Sequence, residues 1–179
     1  MLFEAAIGVV ALLAAWVLGV PVRPTLGLDW RGVLFAGCGV GLLLLLFALT
    51  TRSDWPPFRR IRVQLEQLLE HLFGNAGPVG LLAVAVVAGI SEELLFRAVI
   101  QQSLAAHLPT LTALVITNLV FALLHAITPT YAVLAFVMGV VLSLVFLLSG
   151  SLIAAALTHG IYDFIALLVF RAQRRDAAG

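Results

Sequence analysis

Charge is scarce in this sequence, and lysine is missing altogether. Only 11% of its 179 residues are charged, and all 10 basic residues are arginine. A water-soluble domain carries about a quarter charged residues, so this chain cannot cover itself with polar surface. The net charge of +1 is too small for a polyanion-binding face. A soluble enzyme, a disordered tail and a nucleic-acid binder are thereby excluded. Cysteine is almost absent as well. Cys38 stands alone in an apolar run, cannot form an internal disulfide, and reads as a buried, unreactive thiol. The opening Met-Leu-Phe-Glu lacks the basic start of a signal peptide, so the first apolar stretch reads as a retained anchor.

What the chain has in excess is apolar residues, 63% of the total, with a mean hydropathy of +1.15. They form uncharged runs of about 17 to 20 residues, the length that crosses a hydrocarbon core as helix. The expected architecture is all-α: a multi-pass transmembrane helix bundle of about six spans plus one amphipathic interfacial helix. The length suits one integral membrane domain over residues 1–179. The spans are expected near 2–20, 32–50, from Pro78 onward, 111–127, 131–148 and 151–170, with Pro21, Pro129 and Gly150 as punctuation. Between the second and third, Phe58, Ile61, Leu65, Leu68, Leu69 and Leu72 recur at helical spacing among arginines and glutamates. Such a helix lies on the bilayer surface or caps the bundle. Gly37, Gly39, Gly41 and Gly139 are expected to let helices approach closely.

Ionisable groups at bilayer depth cost roughly 2.5–3.5 kcal/mol each on insertion scales, so each asks for a reason. Glu92, Glu93, Arg97, His159 and Asp163 fall inside spans, and His125 ends one. Glu4 is near a terminus and is discounted. Glu93 and Arg97 are four apart, on one helix face, where an ion pair neutralises both. Glu92 points about 100° away and lacks a local partner. His159 and Asp163 share a face, as do Phe121 and His125. Three helices could thus converge on one polar pocket, where a carboxylate stripped of water acts as base and imidazoles hold the water or polarise a carbonyl. Those are the parts of a hydrolase. Depth is the difficulty: counted at about 1.5 Å per residue from opposite ends, Glu92 and His125 differ by roughly 12 Å. Tilt, a kink or shifted span ends must close that gap.

These residues resemble a family. Glu92-Glu93-Leu-Leu-Phe-Arg97 matches EExxxR, Phe121-Ala-Leu-Leu-His125 matches FxxxH, and His159-Gly-Ile-Tyr-Asp163 matches HxxxN/D. In this order on separate spans they look like the CPBP intramembrane proteases, which include CAAX prenyl endopeptidases and bacteriocin-processing or self-immunity proteins. The signature covers residues 92–163, inside a catalytic core expected over 78–170. The resemblance implies that Glu92 activates the attacking water, with Glu93 and Arg97 as supports. It implies that His125 and His159 assist the water and stabilise the oxyanion, while Phe121 belongs to the supporting motif. Asp163 stands where Asn is common, and an ionised Asp cannot donate to an oxyanion as an amide can.

The function so implied is an intramembrane endopeptidase acting on a membrane-anchored protein or peptide, without a cofactor and without nucleic acid. Its other partner is the lipid bilayer. A metal-dependent variant stays open, because two imidazoles and two carboxylates make an acceptable zinc set, although no HExxH is present. A serine mechanism fits poorly, since Ser91 is followed by Glu92 rather than glycine. The rivals are a non-enzymatic immunity protein and a proton-coupled transporter. Transporters tend to show paired repeats and broken helices, which this sequence lacks.

Arginine placement orients the bundle. Arg52, Arg59, Arg60, Arg62, Arg171, Arg174 and Arg175 share one side of a six-span arrangement, against Arg23 and Arg31 on the other. The positive-inside rule then puts both termini in the cytoplasm, in what composition suggests is a prokaryotic plasma membrane. Reporter fusions to the C-terminal tail and within 51–77 should both read cytoplasmic. A periplasmic signal from the tail would mean an odd number of spans.

Overall fold

The computed structural model describes residues 2–74 and 76–178 of the chain, and its described residues are helical, without strands. The side chains of Arg23 and Arg175, two members of the charge count, lie outside what is described. Helix α1 covers Leu2–Leu18 and α2 covers Trp30–Arg52, with a short 3-10 turn between them at Arg23–Leu26. Helix α3 is Pro56–Phe73, α4 is Pro78–Ala105, and α5 is Thr110–Leu124. Helices α6, Pro129–Ser149, and α7, Leu152–Ala178, complete the bundle.

The ends of these helices follow from local chemistry. Proline opens α3, α4 and α6, where its missing N–H is not needed. The Asp29 carboxylate accepts from the Gly32 N–H at 2.8 Å, and the Thr128 hydroxyl from the Tyr131 N–H at 3.0 Å, capping α2 and α6. Gly150 ends α6 at a left-handed φ of +67°, which a side chain would resist. Helix α1 stops at Leu18, two residues before the expected end, because Gly19 turns to φ +65° ahead of Pro21.

Four helices are long and apolar enough to cross a membrane: Trp30–Arg52, Pro78–Ala105, Pro129–Ser149 and Leu152–Arg174. Leu2–Leu18 and Thr110–Leu124 are apolar but shorter. The polarity of the bundle is inverted relative to a soluble protein. Trp16, Leu34, Leu42, Leu45, Val79 and Leu123 point outward, whereas Glu93, Arg97, Gln101, Asn118, Ser143 and His159 are buried. Only a lipid surround accommodates that arrangement. This is an integral membrane protein. Cys38, expected to be buried, is exposed on the outer side of α2. An apolar run long enough to span lipid does not say which of its faces is inside.

The short α5 resolves the depth problem. Glu92 lies 13 residues before the end of α4 at Ala105, about 20 Å, and His125 follows a 15-residue α5, about 22 Å. Measured from the connection that joins α4 to α5, the two are level. Helix α5 is shorter than a ~30 Å core, so its end leaves His125 inside the core, short of the far face. Beyond Glu93, residues Leu94–Gln101 wind in the wider i→i+5 pattern. No Gly or Pro in that stretch announces it.

Helices α4 and α7 cross with backbone against backbone. A Cβ added to Gly89 would sit 2.9 Å from the Ala156 carbonyl oxygen and 2.9 Å from the Gly160 nitrogen. Backbone therefore meets backbone there, one turn before Glu93 on α4 and next to His159 on α7. Gly139 behaves as expected, since its Cβ would come within 2.5 Å of Asn118 Oδ1, and so does Gly39 against Thr158 and Val145. Gly37 and Gly41 face open space and bring nothing together. Gly89→Val should separate α4 from α7, with the roughly 1–3 kcal/mol cost of overpacking as a lower bound. A clearly reduced melting temperature in detergent checks this.

Candidate active site

The centre of the site is a fully buried ion pair. Glu93 Oε2 lies 3.0 Å from Arg97 Nε, with both side chains 0% exposed. The Arg97 guanidinium also donates from Nη2 to the Gly139 carbonyl oxygen on α6 at 3.1 Å. The second carboxylate oxygen of Glu93 faces His159 Nδ1 on α7 at 2.9 Å. The ion pair thus ties three helices together. The other ring nitrogen of His159, Nε2, is 3.4 Å from Asp163 Oδ2, one turn further along α7. Both contacts are hydrogen bonds at once only if the ring carries two protons or one of the carboxyls carries one.

Glu92 turns away from this pair towards α5, as the 100° step requires. Its Oε2 is 3.5 Å from His125 Nε2 and has no hydrogen-bond partner. His125 Nδ1 is 2.8 Å from the Phe121 carbonyl oxygen one turn back. A carbonyl only accepts, so Nδ1 carries the hydrogen, and in the neutral ring Nε2 presents a lone pair to Glu92. In that form two acceptors face each other.

Phe121 joins the two halves of the site. Its ring stacks on His125 with centroids 4.2 Å apart and an interplanar angle of 25°. The Arg97 guanidinium carbon is 5.3 Å from the same ring's centroid, a cation–π distance. Phe96 meets it edge-on at 5.0 Å. His125 is therefore held against an aromatic plate that also packs on the buried arginine.

Behind the charges runs a polar strut that sequence reasoning found only in part. Asn118 donates to the Leu114 carbonyl oxygen and to Ser143 Oγ, each at 2.9 Å, and Ser143 Oγ donates to Gln101 Oε1 at 2.7 Å. An interhelical bond is the expected use of Asn118, and the strut joins α4, α5 and α6. Gln101 and Ser143 were unmarked because single polar residues in apolar runs carry no periodic signal.

A cavity of about 350 Å³ leads from Glu92, His125, His159 and Asp163 to α3. Its walls are apolar, with Leu43, Phe47, Met138 and Leu167 among them. Phe58, Ile61, Leu65, Leu68, Leu69 and Leu72 of α3 cover the outer end, so the amphipathic helix caps the bundle over the site. His71 and His107 are exposed and take no part.

The site does not fit a bound metal. Glu92, His125, His159 and Asp163 would have to supply the ligands, but both nitrogens of His159 are directed at carboxylates. That leaves Glu92, His125 Nε2 and Asp163, of which Asp163 already faces His159 at 3.4 Å, and these three do not converge as the ligand set of a catalytic zinc does. Among the described residues no group of three or more His, Cys, Asp or Glu is arranged to hold a metal ion.

An acid and imidazole pocket enclosed by membrane-spanning helices defines a class: a multi-pass membrane protein with an intramembrane polar site. Residues 74–165 match the family model described as type II CAAX prenyl endopeptidase Rce1-like. That match covers 92 of the 179 residues and takes in all three motifs, and the chain belongs to this family. At family level it is a CAAX-type endopeptidase. No curated protein and no solved structure matches the chain.

Removing the arginine alone should be severe, because it leaves Glu93 buried with half its compensation gone. Arg97→Ala is expected to cost about 3–5 kcal/mol. Purification yield and thermal unfolding in detergent measure it, and wild-type values for both would show that the pair is not what holds the bundle.

Proposed function

We propose that this protein is an intramembrane endopeptidase that hydrolyses a peptide bond of a membrane-anchored protein or peptide with a water activated by Glu92. The observation that carries this reading is the pair of facing acceptors, Glu92 Oε2 and His125 Nε2, 3.5 Å apart at the inner end of the cavity. A water molecule that donates one hydrogen to each satisfies both and turns its lone pairs towards the cavity. The substrate carbonyl arrives there. Glu92 takes the proton as the water oxygen bonds to the carbonyl carbon, and later returns it to the departing amine nitrogen.

The oxyanion needs a donor, and His159 supplies the nearest one. Its Nδ1 side is held by Glu93 at 2.9 Å, whereas the Asp163 contact on Nε2 is longer, 3.4 Å. A developing oxyanion competes with Asp163 for that Nε2 hydrogen, while Asp163 orients the ring beforehand. Glu93 and Arg97 serve as supports that fix the ring and the helix, and Phe121 fixes the plane of His125.

Orientation follows from the arginines. The cavity lies beneath α3, on the side that carries Arg59, Arg60 and Arg62, so the site faces the cytoplasm. A substrate chain anchored in that leaflet reaches the site along apolar walls.

Glu92→Gln keeps shape and loses basicity. In turnover of a membrane-peptide library, the variant should lose about 10²–10⁴-fold or more while inserting and unfolding like the wild type. In the same assay Asp163→Asn should keep substantial activity, and chelators should change nothing. Wild-type turnover by Glu92→Gln ends the glutamate mechanism. Abolition by both chelation and Asp163→Asn, with stoichiometric zinc in the purified protein, would replace it with a metal one.

A further inference from the structure

Helix α3 is held in two unlike ways along its length. Its N-terminal half is anchored. Ile61 is buried, and Arg62 donates from Nη1 to the Thr50 carbonyl oxygen at 2.9 Å and to the Ser53 carbonyl oxygen at 2.8 Å. Those carbonyls lie at the end of α2, where no intrahelical N–H remains to meet them. The C-terminal half is held less firmly. Leu68 and Leu72, which also line the cavity, are 40% and 56% exposed. Among the described residues, the one polar side-chain contact from this half to the bundle is Glu70 Oε1 with Arg174 Nη2 on α7, at 2.8 Å. Glu70 is 61% exposed and Arg174 39%, and a pair so placed holds weakly. A Cβ on Gly74 would come within 3.6 Å of Arg174 Nη1, so the guanidinium lies against the C-terminal end of α3, which a cation favours.

The seam beneath this half is undercut on both sides. On one side is the cavity of about 350 Å³ that leads to Glu92. On the other, a smaller hollow of about 30 Å³ lies among Glu66 and Gly74 of α3, Leu81 of α4, and Arg171 and Arg174 of α7. Leu69 and Phe73 of α3 and Leu167 and Phe170 of α7 line both. Four apolar side chains are thus the partition between the two spaces. The backbones of α3 and α7 scarcely approach one another, so side chains alone close the seam. A void on each side removes contacts that would otherwise hold the partition, since dispersion acts only between atoms that touch. If the four side chains part, the two spaces join into one passage from the surface at Arg174 to the inner end of the cavity.

We propose that this seam is the gate through which substrate reaches Glu92, with Leu69 and Phe73 parting from Leu167 and Phe170 and the Glu70–Arg174 pair as its latch. The C-terminal half of α3 swings outward while Ile61 and Arg62 keep the other half on the end of α2. The passage so opened has leucine and phenylalanine walls, which suit an extended apolar chain entering from the leaflet that α3 covers. Closed, it keeps lipid and bulk water from the site. All six gate and latch residues lie outside the family match at 74–165.

Passage of substrate rests on the endopeptidase reading, whereas movement of the seam does not, and two measurements separate them. In both, Cys38→Ser removes the native cysteine. The first places spin labels at Gln67→Cys and Gln173→Cys, both exposed, and reads their separation by pulsed electron paramagnetic resonance in lipid nanodiscs. With the latch intact, one main distance should appear with a minor longer one, and Glu70→Arg should raise the longer population several-fold. Adding Arg174→Glu, which restores the pair with its charges exchanged, should reverse that rise. The same distribution in all three proteins would overturn the gate whether or not any peptide is cut. The second measurement ties the latch, with Glu70→Cys and Arg174→Cys joined by a short bis-methanethiosulfonate reagent that dithiothreitol releases. Turnover of a membrane-peptide library should fall by about tenfold or more on tying and recover on reduction. The same cysteines capped singly with methyl methanethiosulfonate should keep the untied rate. Full turnover by the tied protein, its link verified by mass, would overturn the seam as the route of entry. Failure of the untied protein to cleave any peptide would count against the endopeptidase reading, leaving the spin distances to decide the gate.

Discussion

A single carboxylate holds two partners, a guanidinium and an imidazole, at the centre of this bundle, and the rest of the site is arranged around it. Glu93 divides its oxygens between Arg97 on its own helix and His159 on α7. In a low-dielectric interior each of these charges alone would be costly, so each fixes the position of the others. Arg97 extends the constraint to α6 through the Gly139 carbonyl and to α5 through the face of Phe121. His125 rests on the other contact of that ring. His125 is thereby placed by an ion pair it never touches. That linkage gives a physical reason why an EExxxR motif and an FxxxH motif belong in one protein.

The contact between Glu93 and His159 depends on the glycines that let α4 and α7 meet. Gly89 and Gly160 bring backbone against backbone, and His159 comes within 2.9 Å of Glu93 as a result. Lipid supplies no hydrophobic drive to press helices together, so close packing and buried polar bonds must do it. Small residues and charges act together here: the glycines bring the helices close, and Glu93 and His159 give them a reason to stay.

Much of this was legible in the residues, and the limits of legibility have physical causes. Helical spacing placed Glu93 with Arg97, His159 with Asp163 and Phe121 with His125, because those pairs are local and period alone decides them. Partners across helices were not legible. Nothing in the spacing says that His159 would turn Nδ1 to Glu93, or that Gly89 would face Gly160 while Gly37 and Gly41 face outward. The depth mismatch arose from assuming that every apolar run crosses the full core, and α5 does not. Glu4 was set aside for the same kind of reason. Position near a terminus suggests an interfacial group, but the Gly8–Ser91 contact that holds it at the cavity is tertiary. The wide turn at Leu94–Gln101 left no trace in composition at all.

Asp163 is the residue where this chain departs from the commoner amide, and its surroundings explain how an acid is tolerated. His159 lies between two carboxylates, with Glu93 at 2.9 Å and Asp163 at 3.4 Å. Glu93 is fully buried, whereas the Asp163 side chain is 28% exposed at the cavity wall. A charge at the deeper position must be compensated within the protein, and Arg97 does so. A charge at the shallower one is met partly by water in the cavity and partly by the ring. The amide that an asparagine would offer to an oxyanion is lost, but a carboxylate in its place draws on the same imidazole and holds it in register. In the mechanism proposed above, the oxyanion then depends on the His159 Nε2 hydrogen rather than on residue 163 itself. On that mechanism an Asp in place of Asn moves the donor four residues back, one turn along the same helix.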